Sequence, residues 1–214
     1  MIRDLSEQGI RDHCPHCDYN GWAFKYILTK SLYFNILCDV HPLVEGHLLI
    51  IPKRHTSCAG EYTAEEWEDF KKVYQQICRW VYNKYGSVAT FEHGKIGQTV
   101  FHSHVHVLPF QGEIEQIVPE GKENLQSMQK IEELIDLFQR EGQYLFFSIN
   151  QQKWIVDTSL GFPRFFRDRF ARALGCHQRA DWKATSKDPK LMAIGREENE
   201  RCQSKFFQDP ISLD

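Results

Sequence analysis

Short apolar runs bounded by turn residues predict four strands in the first half of the chain. The runs 33–37 (YFNIL) and 47–52 (HLLIIP) are the first two, and 39–46 (DVHPLVEG) is the loop between them. The runs 87–94 (SVATFEHG) and 99–110 (TVFHSHVHVLPF) are the next two, and a loop that contains glycine joins them. A segment of different period separates the two pairs.

That segment predicts a long amphipathic helix. Thr63 is placed to cap it, and Glu66, three residues on, completes a capping box. Apolar side chains then recur every three or four residues until the glycine at 86. They are Trp67, Phe70, Val73, Tyr74, Ile77, Trp80 and Val81. We interpret this stripe as core packing, and the order strand, strand, helix, strand, strand predicts an α+β fold with a mostly antiparallel sheet.

The second half predicts two helices around a hairpin. A helix is expected over 123–142, and strands over 143–149 and 153–159 are joined by a three-residue turn. A second helix is expected over 161–175, with Pro163 at its start and a glycine after its end.

These elements divide the chain into two predicted regions. Region 1–112 carries the first four strands, and region 113–214 is a C-terminal α/β extension whose charged tail, 181–214, contains a helix over 190–207. The extension either continues the first sheet or forms a small lobe against it.

Composition narrows the class of protein. The 214 residues are 42% hydrophobic, which is enough for a sizeable core in one domain or one domain with an appendage. A net charge of −3 does not indicate nucleic acid or an anionic membrane as partner, although local cations could still meet a polyphosphate. No apolar run approaches the roughly 18 residues of a membrane span, and the first residues do not resemble a secretory signal. Seven mostly scattered cysteines favour a reducing cytoplasm.

Three histidines alternate with small or apolar residues in the fourth predicted strand. On a strand, His102, His104 and His106 share one face at about 6.6 Å spacing, with Ser103 and Val105 on the other. Three protonated imidazoles would repel one another, so some must stay neutral or bind an anion or a metal. A neutral imidazole is a nucleophile or a ligand, and a protonated one binds phosphate oxygens. The alternative is an ordinary polar strand face.

Two motifs resemble the signatures of the histidine triad (HIT) superfamily of nucleotide hydrolases and transferases. They are GQTVFHSHVHVLP at 97–109 and CDVHPLVEGHLLIIPKRH at 38–55, and the resemblance covers about residues 14–110. It implies a HIT-like domain with packed helices. The FEHG stretch at 91–94 departs from the smallest family hydrolases, which carry an asparagine there, and resembles a longer bacterial-type branch.

The resemblance also implies roles. His104 would be the nucleophile that attacks an α-phosphorus and forms a nucleotidyl-imidazole intermediate, and His106 would hold a phosphate oxygen. The other implied contacts are Gln98 and Thr99 to the phosphate or leaving group, Asp39 to ribose hydroxyls, and His47 to the triad or the nucleotide pocket. A phosphoryl centre shielded by negative oxygens needs a neutral nucleophile and several hydrogen-bond donors, which fits this set.

The pair Cys14 and Cys17 (CPHC) allows a redox, a metal or a plain free-thiol interpretation. Redox pairs precede a helix, whereas turn residues follow Cys17, so we favour metal. In zinc-bearing members of the superfamily the ligands correspond to Cys14, Cys17, His55 and His102, which implies a structural Zn²⁺ that fixes the N-terminal arm. His13 and His16 are competing ligands.

The extension carries Arg164 and Arg167, which a helix would place on one face. Guanidinium groups suit phosphates, and the stretch resembles the extension of longer HIT-related proteins, so these arginines are expected to lengthen the substrate pocket. The alternative is a solvated helix face.

The combined expectation is a cytoplasmic enzyme that acts on a nucleotide or nucleotidylated small molecule through a covalent histidine intermediate. Water, phosphate or a sugar phosphate is the acceptor. The alternative is a nucleotide- or RNA-binding adaptor without turnover. Compact members of the superfamily commonly form homodimers. This chain is expected either to form a homodimer as well or to cover that interface with its extension.

Overall fold

The computed structural model describes residues 13–211 and 213, and its central feature is a single eight-stranded sheet. The strands are β1 (Ile27–Lys30), β2 (Phe34–Cys38), β3 (Leu48–Pro52), β4 (Ala89–Gly94), β5 (Val105–Leu108), β6 (Leu125–Met128), β7 (Tyr144–Ile149) and β8 (Gln152–Val156). Their order is β1-β2-β3-β5-β4-β7-β8-β6, and all neighbouring strands are antiparallel. The predicted α+β class is confirmed, and the extension continues the first sheet.

Within the described part of the chain, six α-helices flank the sheet. They are α1 (Ala64–Tyr85), α2 (Ile114–Ile117), α3 (Glu133–Glu141), α4 (Phe165–Ala173), α5 (Trp182–Thr185) and α6 (Pro189–Gln208). The capping box of α1 is present: Thr63 Oγ1 accepts from the Glu66 N–H at 3.2 Å, and Glu66 Oε2 accepts from the Thr63 N–H at 2.8 Å. Gly86, at φ +82°, ends the helix in the left-handed conformation that favours glycine.

The two faces of the sheet carry separate cores. Val105 and Val107 point from β5 into the core under α1, whereas Leu108 belongs to the core under α4. This is the period-two alternation expected of a strand that is covered on both faces. His106 lies on the α4 face, where its ring stacks on Phe91 at a centroid distance of 4.1 Å.

Three predicted elements differ from the structure. The strand predicted over 99–110 begins only at Val105, because the preceding segment binds other partners: the Ser103 N–H donates to Thr56 O at 2.6 Å. The helix predicted over 123–142 is instead β6 followed by α3. Apolar spacing did not reveal that Leu125–Met128 completes the backbone hydrogen bonding of β8.

The helix predicted over 161–175 starts at Phe165 rather than at Pro163. Arg164 precedes it with φ +66°, and its N–H donates to Gly97 O at 2.8 Å, so the backbone here is tied to the loop before the triad. The hairpin and the C-terminal helix agree with prediction, while β1, α2 and α5 were not predicted. The signal-sequence prediction concerns residues outside those described. No helix within 13–211 is long and apolar enough to cross a membrane.

Candidate active site

His104 lies at the end of the loop that leads into β5, and one hydrogen bond determines which of its ring nitrogens carries a proton. Its Nδ1 lies 2.6 Å from the carbonyl oxygen of His102. Because a carbonyl only accepts, Nδ1 must carry the proton, and a neutral ring then keeps its lone pair on Nε2. Burial lowers the pKa of His104, which favours that neutral ring. The side chain is half-buried and lines a pocket, as a nucleophile requires.

A second chain of hydrogen bonds fixes His106. The Leu43 N–H donates to His47 Nδ1 at 3.0 Å, so the proton of a neutral His47 is on Nε2. That Nε2–H faces His106 Nδ1 at 2.8 Å. Burial lowers the pKa of His47 to about 3 and that of His106 well below its usual value, so both rings are neutral. His106 must therefore carry its proton on Nε2, where it is a hydrogen-bond donor.

Asp39 and Arg167 form a buried ion pair beside these histidines. Arg167 Nη1 lies 2.7 Å from Asp39 Oδ2, and Nη2 donates to His41 O at 2.8 Å. Burial tends to raise the pKa of Asp39, but the guanidinium, together with His47 and His41, more than offsets this and the pKa lies below its ordinary value. The carbonyl of Asp39 also accepts from Asn199 Nδ2 of α6 at 3.0 Å. The extension thus supplies two of the groups that hold Asp39.

Most of the predicted catalytic and substrate-binding residues meet at one pocket, but His47, Gln98 and Arg164 do not line it. The pocket residues are His16, Trp22, Ala23, Asp39, Val40, His41, Leu49, Thr99, Val100, His104, His106, Arg167 and Trp182. His47 is fully buried and contacts the triad only through its hydrogen bond to His106. Gln98 donates from Nε2 to Ser57 O at 2.6 Å.

The two arginines of the extension that were predicted to bind substrate, Arg164 and Arg167, have different surroundings. Arg164 lies 3.7 Å from the Asp181 carboxylate, whereas Arg167 is buried against Asp39. The prediction that Arg164 and Arg167 share a helix face is wrong, because Arg164 precedes α4 in the left-handed conformation.

A buried carboxylate that the sequence reasoning missed supports the triad loop. Glu92 Oε1 accepts from Ser103 Oγ at 2.7 Å and from the Ala59 N–H at 2.9 Å, and Glu92 Oε2 accepts from the Tyr144 hydroxyl. Burial raises the pKa of Glu92. Because Ser103 lies between His102 and His104, this network fixes the backbone that carries both. Its only sequence signal was the acidic residue in FEHG.

His93 also has a role that its neighbourhood in the sequence did not indicate. His93 lies in β4, is buried, and accepts the Phe166 N–H on Nε2 at 3.1 Å. It therefore joins the sheet to the first turn of α4, the helix that carries Arg167.

Cys14, Cys17, His55 and His102 form a compact cluster whose ligand atoms all lie within 4.8 Å of one another. His102 Nε2 lies 2.9 Å from Pro52 O and must donate to it, so Nδ1 offers its lone pair to the two sulfurs at 3.4 and 3.5 Å. Cys17 Sγ lies 3.3 Å from His55 Nδ1.

These distances fit a metal. Tetrahedral zinc, with bonds of about 2.3 Å to sulfur and 2.0–2.1 Å to nitrogen, separates sulfur from nitrogen by about 3.5 Å. The cluster is thus a suitable site for a structural metal ion, and the His102–Pro52 bond orients its ligand. His16 lies outside the cluster, with its ring centroid 5.0 Å from that of His104.

The fold and this pair of sites define a histidine triad domain, and the comparison with known families agrees. Residues 25–113 match the model of the HIT domain family. This match confirms the resemblance found in the sequence and places a HIT domain at residues 25–113, less than half of the chain.

Known relatives also match less than half of the chain. Bis(5'-adenosyl)-triphosphatase of Saccharomyces cerevisiae is 34% identical over 88 residues, which cover 39% of this chain and 43% of that protein. An uncharacterized HIT-like protein of Mycobacterium tuberculosis is 38% identical over 79 residues, 34% of this chain and 54% of that protein. The chain spans about half the length of these relatives. A solved HIT family protein from Bacillus anthracis is 26% identical, covers 48% of this chain and 76% of its own, and has a TM-score of 0.43.

Proposed function

We propose that this protein cleaves a nucleotide phosphoanhydride or related bond at the α-phosphorus, through a covalent bond between phosphorus and His104. The observation that carries the proposal is the His104 Nδ1–His102 O hydrogen bond. It leaves the nucleophilic lone pair on Nε2, on a side chain that lines the pocket. The yeast relative is a bis(5'-adenosyl)-triphosphatase, which supports a substrate of the dinucleoside polyphosphate class.

The proposed reaction has two displacements. In the first, His104 Nε2 forms a bond to the α-phosphorus while the bond to the leaving phosphate oxygen breaks. His106, oriented by His47, donates its Nε2–H to a non-bridging oxygen of the same phosphorus, where negative charge develops. In the second, water or phosphate forms the new P–O bond, loses a proton to solvent, and releases His104 as a neutral ring. Splitting the displacement in this way replaces one difficult step with two easier ones.

The remaining predicted substrate contacts stay part of the proposal. Thr99 lines the pocket and can still donate its hydroxyl proton to a phosphate oxygen. Asp39, held by Arg167, keeps lone pairs for ribose hydroxyls. We assign Arg167 to holding Asp39, and Gln98 and Arg164 to the rim of the site. In this assignment region 1–112 supplies the chemistry and region 113–214 completes the wall.

We further propose that the Cys₂His₂ cluster binds Zn²⁺ and that the ion is structural. It would join the N-terminal arm, through Cys14 and Cys17, to the His102 end of the triad loop. Elemental analysis should find about one zinc per chain, and His55→Ala should lower that content, whereas His177→Ala, which changes an exposed histidine paired with Asp168, should not. Full zinc content in His55→Ala would contradict the ligand set.

The catalytic proposal is tested by trapping the intermediate. Diadenosine triphosphate labelled at the α-phosphorus is mixed with the protein, quenched in base, and the label located by peptide mapping. We expect acid-labile label on His104, and His104→Ala should lose turnover on the order of 10⁴-fold while His177→Ala retains it. Nucleotide binding without label or turnover in the unmodified protein would favour the adaptor alternative instead.

A further inference from the structure

Three aromatic rings that line the pocket contact one another. Trp22 and Trp182 stack with centroids 5.6 Å apart and an angle of 26° between the rings. The His41 ring stacks on Trp182 at 5.8 Å and 29°. All three line the same pocket as His104 and His106. Trp22 and Trp182 lie outside residues 25–113, so the HIT domain itself supplies neither indole.

The two indoles differ in how firmly they are held. Trp182 is the first residue of α5, and its Nε1–H donates to Thr99 Oγ1 at 2.9 Å. Trp22 begins a three-residue 3-10 helix, and 47% of its surface is exposed. The hydrogen bond to Thr99 therefore holds Trp182 in place, whereas Trp22 can rotate toward solvent without disrupting the hydrophobic core.

The pocket that the two indoles line is too small for a nucleotide. The pocket encloses ≈ 50 Å³, whereas pockets that hold ligands of nucleotide size measure about 300–1,000 Å³. A nucleotide therefore fits only if side chains that line the pocket move. Trp22 is the one exposed residue among those that line it, and its separation from Trp182 would uncover two flat aromatic faces in the same pocket as His104 and His106.

His41 adds a polar atom that lacks a partner. Its side chain is 5% exposed, and Nδ1 forms no hydrogen bond with any residue in 13–211. A buried ring nitrogen without a partner is costly unless a ligand satisfies it. A planar heterocycle with polar edges, inserted against Trp182, would supply both the stacking surface and the missing hydrogen bond.

We propose that Trp22, His41 and Trp182 form an aromatic clamp that opens to bind a nucleobase of the substrate. The base stacks on Trp182, Trp22 closes on its other face, and His41 Nδ1 contacts its edge. The clamp depends on the nucleotide substrate proposed above. It assigns recognition of the base to the N-terminal arm and the C-terminal extension, and phosphate chemistry to the triad.

The clamp is tested by comparing two probes that differ only in the base. Adenosine 5′-monophosphate and ribose 5-phosphate are titrated by calorimetry against the zinc-loaded full chain, Trp182→Leu and Trp22→Leu. Base–aromatic stacking predicts that each variant binds the nucleotide about tenfold more weakly. Its affinity for ribose 5-phosphate should change by less than about twofold, because that probe makes no stacking contact.

Controls separate the clamp from folding and from the proposed function. Trp154→Phe changes a tryptophan that stacks on Phe147 outside the pocket, and should bind both probes as the unmodified chain does. An unchanged nucleotide affinity in both clamp variants, or an equal loss for both probes, would overturn the clamp while leaving turnover at His104 intact. An unmodified chain that neither binds the nucleotide nor hydrolyses diadenosine triphosphate would overturn the proposed function, and the clamp with it.

Discussion

Replacing Arg167 with methionine should destabilise the fold strongly and make its stability depend on pH in a new way. The guanidinium donates to the Asp39 carboxylate and to the carbonyls of His41, Ala180 and Arg179. Methionine fills similar space but leaves the carboxylate buried without its counter-ion. Breaking a buried pair in this way typically costs about 3–5 kcal/mol.

The pH dependence arises at Asp39 and at the histidines that face the same guanidinium. In the parent protein the pKa of Asp39 is lowered, so its contribution to stability is present at neutral pH and is lost only as pH falls below about 4. In Arg167→Met the largest lowering influence on the Asp39 pKa is gone and only His41 and His47 still oppose burial, so we expect that pKa to rise above the unfolded value. The ionised Asp39 then destabilises the variant at neutral pH, and protonation relieves this as pH falls. Arg167 also lowers the pKa of His41 and His47, so its removal raises those pKa values and adds a change of stability in the same direction.

Urea unfolding at pH 7.5 and pH 5 measures both effects. We expect the difference in unfolding free energy between parent and variant to narrow by about 1–2 kcal/mol at the lower pH, at 1.36 kcal/mol per pKa unit. The Cys₂His₂ cluster is the same in both proteins, so its own pH dependence cancels. A difference below about 1 kcal/mol, or one equal at the two pH values, would refute this reasoning.

Two further variants separate the effect of the buried charge from the effects of packing and of exposed ion pairs. Arg172→Met removes an exposed ion pair with Asp168 in the same helix and should cost less than about 0.5 kcal/mol. The double variant Asp39→Asn with Arg167→Met removes the unpaired charge, and should recover at least about 1 kcal/mol of the loss. Failure to recover would assign the cost to packing rather than to charge.

Three other changes test separate parts of the structure. Cys17→Ser should abolish stoichiometric zinc binding by elemental analysis, and retained zinc would exclude the cluster as described. Thr63→Ala breaks the capping box with Glu66 and should cost about 1 kcal/mol in urea unfolding, with no change in the activity at His104. Tyr144→Phe removes the hydroxyl that donates to buried Glu92 and should cost about 1–3 kcal/mol; a neutral result would mean that water replaces it.

Local signals predicted those elements whose hydrogen bonds close within a few residues. Thr63 and Glu66 marked the start of α1, and the glycine at 86 marked its end, because caps are local chemistry. The strand that carries His106 followed from alternation. Leu125–Met128 did not, because a strand paired with β8 and a helix can share the same apolar spacing when the partner strand is unknown.

The site was predictable to the same extent. The resemblance to the HIT superfamily implied one site for His104, His106 and Asp39, and the structure brings all three to one pocket. The sequence could not indicate that Arg167 is buried against Asp39, which is 128 residues away. An arginine on a helix is exposed in most folded proteins. The contact of Trp182 with Thr99 was not predictable for the same reason, because the two residues come together only when the sheet is complete and the extension packs over the triad loop.

The pairing of β4 with β7 determines how the chain can be divided. Six residues of β4, Ala89–Gly94, pair with β7 along their whole length. Ending the chain at residue 112 would leave that strand with an unprotected row of amide and carbonyl groups and a bared apolar surface, which invites chain-to-chain pairing. A shortened version would therefore tend to self-associate, and biochemical work on the HIT domain is best done with the extension attached.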